Sequence, residues 1–196
     1  EEPVVPPPAT EPNSRRVALG VGRLCEQKNF GCLIRAFGSL ATRYPDWDLV
    51  ILGEGPARAR LEREIDYLGL TDRVRLPGRV GNLPDWYSHS ALYVMSSRFE
   101  GFPNTLIEAM AYGLPAVSFD CDAGPKDIIR DRIDGYLVSP REGAVGLMSA
   151  MDALMQDETL RKQLSEAAVE VRNRFSMERI AAEWDEVWQL TEKPDV

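Results

Sequence analysis

Two carboxylates eight positions apart, Glu100 and Glu108, bracket the turn Gly101-Phe102-Pro103-Asn104 in the string Ser96-Ser97-Arg98-Phe99-Glu100-Gly101-Phe102-Pro103-Asn104-Thr105-Leu106-Ile107-Glu108. Pro103 pre-sets φ for a helix beginning there, which leaves the N–H groups of Asn104, Thr105 and Leu106 as expected free donors. Such a helix start, with its positive dipole end, takes phosphate. A carboxylate beside a phosphate cradle is electrostatically costly unless it accepts hydrogen bonds from hydroxyls. One ligand with phosphate in the middle and hydroxyls at both ends satisfies all these groups. That is the outline of a nucleotide sugar. Either glutamate alone reads more simply as a surface acid.

Two further loops carry glycine and charge. In Gly20-Val21-Gly22-Arg23-Leu24-Cys25-Glu26-Gln27-Lys28-Asn29 the glycines allow close approach of backbone to a ligand, and Arg23 and Lys28 flank it with two cations. Taken alone, the loop is also explained as a glycine turn with solvated basic side chains. Gly53-Glu54-Gly55-Pro56 reads as a tight turn with Pro56 at the first helical position.

These loops need a frame that brings them together. Short apolar runs at Val17–Val21, Asp48–Leu52, Val74–Leu76, Ala91–Met95, Ala116–Phe119 and Tyr136–Val138 alternate with segments of helical spacing at 30–44, 57–68, 85–90 and 105–112. The alternation predicts a Rossmann-like, doubly wound α/β domain with a parallel sheet of about six strands. In such sheets ligands sit outside the carboxyl ends of the strands, where all three loops fall. Beyond Pro140 the strands stop, and three helices are expected over 144–155, 159–172 and 177–190. Three segments follow: a proline-rich linker over 1–14, the Rossmann-like body over 15–175, and a terminal crossover helix and tail over 176–196. The last helix carries Met177, Ile180, Trp184, Val187 and Trp188, which either dock on this domain's own sheet or reach to another domain.

Composition removes several classes. The net charge of -8 argues against a general nucleic-acid binder, which shows a basic footprint. The charge is uneven: five basic residues against Glu26 alone lie between Arg15 and Arg35, which suits a small anion. Three scattered cysteines suit a reducing cytoplasm rather than a disulfide scaffold. With His89 as the one histidine and no Cys-x-x-Cys pair, a metal site has little to build on, and none is expected. His89 itself reads as a structural residue in a turn before a strand. A phosphoacceptor receiver domain would want acids at the strand ends, where Gly22, Gly53 and Ser96 stand instead.

The string around Glu100 and Glu108 resembles the E-x7-E signature of retaining, nucleotide-sugar-dependent glycosyltransferases of the GT-B fold, the "glycosyl transferases group 1" family. Gly22-Arg23-Leu24 with Lys28 is similar to that family's G-R-L…Q-K-G segment, with Asn29 where glycine is usual. Gly53-Glu54-Gly55-Pro56 resembles its G-x-G-P turn, Arg75 to Val80 its base-facing strand and loop, and Asp134 to Val138 a shortened D-G-x-N-G-x-L-V segment. The likenesses run in order from about Arg16 to Pro140.

The resemblance implies one half of a GT-B fold, the donor-binding C-terminal half. Arg23 and Lys28, with the amides of Asn104, Thr105 and Leu106, would neutralise a diphosphate without a metal ion or other cofactor, and Gly22 would pass close to the phosphates. Glu108 would hold ribose hydroxyls, backbone near Val80 would read the base, and Glu100 with the backbone of Gly101, Phe102 and Pro103 would address the donor sugar. The segment Ser118 to Ile129 resembles a variant in members that use UDP-hexoses or UDP-N-acetylhexosamines, so a UDP-sugar is the expected donor. The chain does not begin with Met, and the acceptor half is expected upstream of Glu1. A glycan or lipid-linked acceptor, a cytoplasmic location peripheral to the inner membrane face, and a dimer through the last helix complete the expectations. The alternative is a nucleotide-sugar-binding module without catalysis of its own.

Overall fold

The computed structural model describes residues 3–7 and 15–191, with side chains to 188. Positions 1–2 and 8–14 of the expected linker, and 192–196 of the expected tail, lie outside the described residues. Six strands form one sheet: β1 (Arg16–Val21), β2 (Trp47–Leu52), β3 (Val74–Gly78), β4 (Leu92–Met95), β5 (Ala116–Phe119) and β6 (Gly135–Val138). Their spatial order is β3-β2-β1-β4-β5-β6, and every pairing is parallel. This is the doubly wound arrangement that the alternating elements imply, with the order reversing between β1 and β4. At that reversal the helix that follows β1 packs on one face of the sheet and the helix that follows β4 on the other.

Parallel strands are covered on both faces, so their residues are apolar throughout and the pleat sorts them. Ala18, Leu49, Ile51, Leu92 and Val94 face one layer, built by α1 (Phe30–Ala41), α2 (Arg58–Tyr67) and α6 (Gly143–Gln156). Leu33 and Phe37 of α1, and Leu147 and Leu154 of α6, are fully buried there. Val17, Leu19, Val50, Tyr93 and Met95 face the other layer, which holds α3 (Leu83–Ser88), α4 (Asn104–Ala111) and α5 (Pro125–Ile128). That second layer carries Trp86, Tyr87, Leu106 and Met110, and it seats the helix that bears Glu108.

Several element boundaries differ from expectation for tertiary reasons. The helix expected over 159–172 is two: α7 (Glu158–Ala168) and a single turn, α8 (Val171–Arg174). Arg172 Nε donates to the Ala111 carbonyl at 2.7 Å and Arg174 Nη1 to the Ile128 carbonyl at 2.7 Å. These ties to the C-terminal ends of α4 and α5 turn the chain where its periodicity continues. Asp134, fully buried, accepts from Arg130 Nε at 2.6 Å and lies 3.4 Å from Arg174 Nη1. The Asp-Gly pair noted in the sequence is therefore an internal ionic tie.

The last helix, α9 (Met177–Thr191), begins after Ser176, whose Oγ accepts from the Arg179 N–H at 3.3 Å. Its Trp184 and Trp188 remain 60% and 63% exposed, so this helix does not dock on the domain's own sheet. Near the start of the chain, the proline-rich stretch is extended at 3–7 but attached. The Pro3 carbonyl accepts from the Gly81 N–H at 2.9 Å, and the Val5 carbonyl accepts from Asn82 Nδ2 at 3.1 Å and from Trp86 Nε1 at 3.0 Å. Among the described residues no helix is long and apolar enough to cross a membrane.

Candidate functional site

The loop after β1 is held open by its neighbours' backbones. Past the strand ends the hydrogen-bond ladder continues: Gly22 N–H to Leu52 O, Leu24 N–H to Glu54 O and Ala57 N–H to Leu24 O, each at 2.9 Å. This approach requires glycine at two places. A Cβ on Gly53 would stand 2.0 Å from the Gly22 carbonyl oxygen, and one on Gly55 2.3 Å from that of Leu24. The Gly-x-Gly-Pro turn is thus the seat on which the cationic loop rests.

The same loop is stitched to the loop after β4. Arg98 N–H donates to Gln27 O at 2.8 Å, Gln27 Nε2 to Phe99 O at 3.0 Å, and Ser96 Oγ to Lys28 O at 2.8 Å. Lys28 then turns its ammonium onto Glu100, with Nζ 2.6 Å from Oε1 and side chains only 19% and 8% exposed. The Lys28 stem lies across Gly22, where a Cβ would press within 3.1 Å of its Cε. Asn29 sits in the left-handed region at φ 52°, which allows glycine and asparagine at little cost. That conformation accounts for asparagine at a position where the resembling family uses glycine.

Around this pair the predicted residues separate into three places. Gly22, Arg23 and Val80 line a cleft of about 190 Å³ together with Val21, Glu54, Arg79 and Leu83. Arg23 is exposed, and Val80 is buried at the cleft wall. Glu54 in this cleft is gripped by Arg58 through Nε–Oε2 at 2.8 Å and Nη2–Oε1 at 2.5 Å. The guanidinium holds the Glu54 carboxyl below the usual carboxylate range. Glu54 and Arg79 were not singled out beforehand, because single charged residues at strand ends carry no distinguishing spacing.

Lys28 and Glu100 form the second place, and Gly101, Phe102 and Pro103 continue from it. Gly101 and Phe102 are exposed. A Cβ on Gly124 would stand 2.4 Å from the Gly101 carbonyl, so the turn before α5 backs this loop.

The third place is α4. Pro103 is its N-cap rather than its first residue, and the helix begins at Asn104. No side chain caps this end. Here one expectation is corrected: the Leu106 N–H is not free, because it donates to the Pro103 carbonyl at 3.0 Å. The first turn closes tightly behind Pro103, leaving Asn104 and Thr105 as the amides at the helix mouth. Thr105 Oγ1 accepts from the Tyr93 hydroxyl at 2.8 Å, and Glu108 Oε2 from the Tyr87 hydroxyl at 3.0 Å. Glu108 is otherwise exposed. Neither tyrosine was anticipated as part of the site, since both read as core residues by pattern.

His89 caps the end of α3, its Nδ1 2.7 Å from the Asp85 carbonyl of the same helix. Among the described residues, no three His, Cys, Asp or Glu side chains stand together in a way that would hold a metal ion.

Comparison with known proteins matches this architecture. The family described as "Glycosyl transferases group 1" matches residues 5–171. The amylovoran biosynthesis glycosyltransferase AmsD of Erwinia amylovora is 34% identical over 169 residues, covering 86% of this chain and 47% of the relative. The chain spans about half the length of several curated relatives that it matches. The C-terminal domain of LpcC, a group 1 family glycosyl transferase from Francisella tularensis, aligns with TM-score 0.75 at 25% identity, covering 86% of this chain and 94% of that one. An S. aureus TarM structure with UDP among its bound molecules aligns with TM-score 0.82 at 23% identity, covering 93% of this chain and 38% of that one. With the family matched over most of its residues and a domain-length structural counterpart, this chain belongs to the glycosyl transferases group 1 family and has the fold of a GT-B C-terminal domain.

Proposed function

We propose that this chain is the donor-binding half of a retaining glycosyltransferase that transfers a hexosyl group from a UDP-sugar to a glycan or lipid-linked acceptor. The observation that carries the reading is the meeting, at the β1/β4 reversal, of the Arg23–Lys28 loop with Glu100 and the uncapped start of α4. UDP in the TarM structure supports the choice of nucleotide.

On this reading the base enters the cleft at Val80, and the ribose hydroxyls reach Glu108 on α4. The diphosphate lies between, over the amides of Asn104 and Thr105 and under Arg23. As the bond to the anomeric carbon breaks, negative charge grows on the departing diphosphate. Cations and amides already aimed there stabilise that charge without reorganising. Lys28 contributes once its ammonium is shared between Glu100 and phosphate, and the two cations make a metal ion unnecessary to the step. Glu100 accepts hydrogen bonds from the sugar hydroxyls. The acceptor attacks from the face the diphosphate leaves, and the leaving phosphate takes its proton, so configuration is retained. Catalysis requires a second domain to supply the acceptor. The working place is the cytoplasm, at the inner membrane face.

Calorimetric titration with UDP, GDP and ADP tests the reading. Selective binding of UDP is expected, weakened in Arg23→Ala more than uridine binding is. Equal losses for UDP and uridine would contradict the diphosphate role of Arg23, and selective GDP or ADP binding would overturn the choice of uridine.

A further inference from the structure

Glu108 is an exposed carboxylate on the outer side of a short helix, yet one of its oxygens is fixed from below. Tyr87 on α3 is 2% exposed and donates its phenol hydrogen to Glu108 Oε2 at 3.0 Å. Its ring is wedged between two others. Tyr93 meets it edge-on with centroids 6.5 Å apart, and Tyr112 lies tilted against it at 5.6 Å. The wedge fixes the ring, and so fixes where the hydroxyl points. Among the described residues Glu108 is the one hydrogen-bond partner of that hydroxyl. Burial, followed by the charge of the groups around it, raises the phenol above its ordinary pKa, so it remains a donor.

A glutamate side chain on a helix surface samples many rotamers, and ordering it on binding opposes affinity. An ionised carboxylate only accepts hydrogen bonds, at two oxygens. With Oε2 held by Tyr87, the remaining oxygen is presented in one direction. Resting on the reading of Glu108 as the ribose acceptor, we propose that Tyr87 is a positioning residue that locks the Glu108 carboxylate in place for the ribose hydroxyls. The specificity for ribose over deoxyribose then originates partly in Tyr87, a buried residue behind the carboxylate.

The test is titration of this chain with UDP and 2′-deoxy-UDP. Wild type is expected to prefer UDP. In Tyr87→Phe, UDP affinity should fall about 5- to 10-fold while 2′-deoxy-UDP affinity is nearly unchanged, a loss the size of one ordinary hydrogen bond. In a Glu108→Ala background the same substitution should change neither ligand further. Tyr93→Phe removes an equally buried hydroxyl, the one bonded to Thr105. It should lower the melting temperature without shifting the ratio of the two affinities, and this variant calibrates any loss of folding in Tyr87→Phe. If Tyr87→Phe keeps the wild-type preference, or weakens both ligands by one factor, Tyr87 is only a core residue and the proposal fails. If wild type binds no UDP, or Glu108→Ala keeps the full preference for ribose, the ribose role of Glu108 fails first and the Tyr87 role goes with it.

Discussion

Lys28 Nζ and Glu100 Oε1 meet at 2.6 Å although the two residues are 72 positions apart in the chain. The contact joins the loop after β1 to the loop after β4, where the strand order reverses. Both side chains are mostly withdrawn from water, so removing one charge leaves the other poorly solvated. Lys28→Met is expected to lower stability by about 1–3 kcal/mol, and Lys28→Met with Glu100→Gln by clearly less than the sum of the two single changes. A double-mutant cycle in urea measures this. Strict additivity would show that the pair contributes nothing as a pair.

The glycine turn after β2 makes a steric prediction. Gly53 has φ 136°, and a Cβ there meets the Gly22 carbonyl at 2.0 Å. Gly53→Ala should cost at least about 1–3 kcal/mol from backbone strain alone, and Gly55→Ala should be similarly harmful through the Leu24 carbonyl. Gly101→Ala has nothing within 4 Å and should leave the melting temperature nearly unchanged. Equal tolerance at all three positions would mean that the two loops do not rest on each other.

Asn29 offers a test of conformation. At φ 52° a β-branched residue is disfavoured, so Asn29→Val should lose about 1–2 kcal/mol while Asn29→Gly is neutral within a few tenths. Denaturant melts of the two variants decide it.

Tyr44 predicts a pH dependence remote from the site. Its hydroxyl donates to Asp152 Oδ1 at 2.5 Å, and burial followed by that carboxylate moves the phenol pKa from 10.0 up to about 12. The unfolded chain would release this proton near pH 10, before the folded chain does. The stabilisation is therefore complete below pH 10 and is lost as pH rises to about 12. Tyr44→Phe should be less stable at neutral pH by about 0.5–1.5 kcal/mol, yet decline less between pH 10 and 12. Parallel decline of the two proteins, measured by urea unfolding across that range, would contradict the linkage.

The local alternation of apolar runs and helical spacing was enough to read the layered sheet. A strand buried on both faces must be apolar throughout, as Leu49 to Leu52 are, and its helices must carry one apolar stripe. The glycines of both loops and the Pro103 turn were likewise legible, because conformational and steric demands fall on single residues. The end of α7 at Ala168 was not. Nothing in the periodicity records that Arg172 and Arg174 reach across to carbonyls at Ala111 and Ile128.

Residue types and spacing therefore established the layers and which loops bear the charge, and the order of the motifs carried the resemblance to the family. The folded chain alone decided who meets whom: Lys28 on Glu100, and Tyr87 on Glu108. The physical reason is that such pairs depend on strand order and helix docking. Placing β4 beside β1, and α3 against α4, involves crossovers tens of residues long, and no window of local sequence contains both partners.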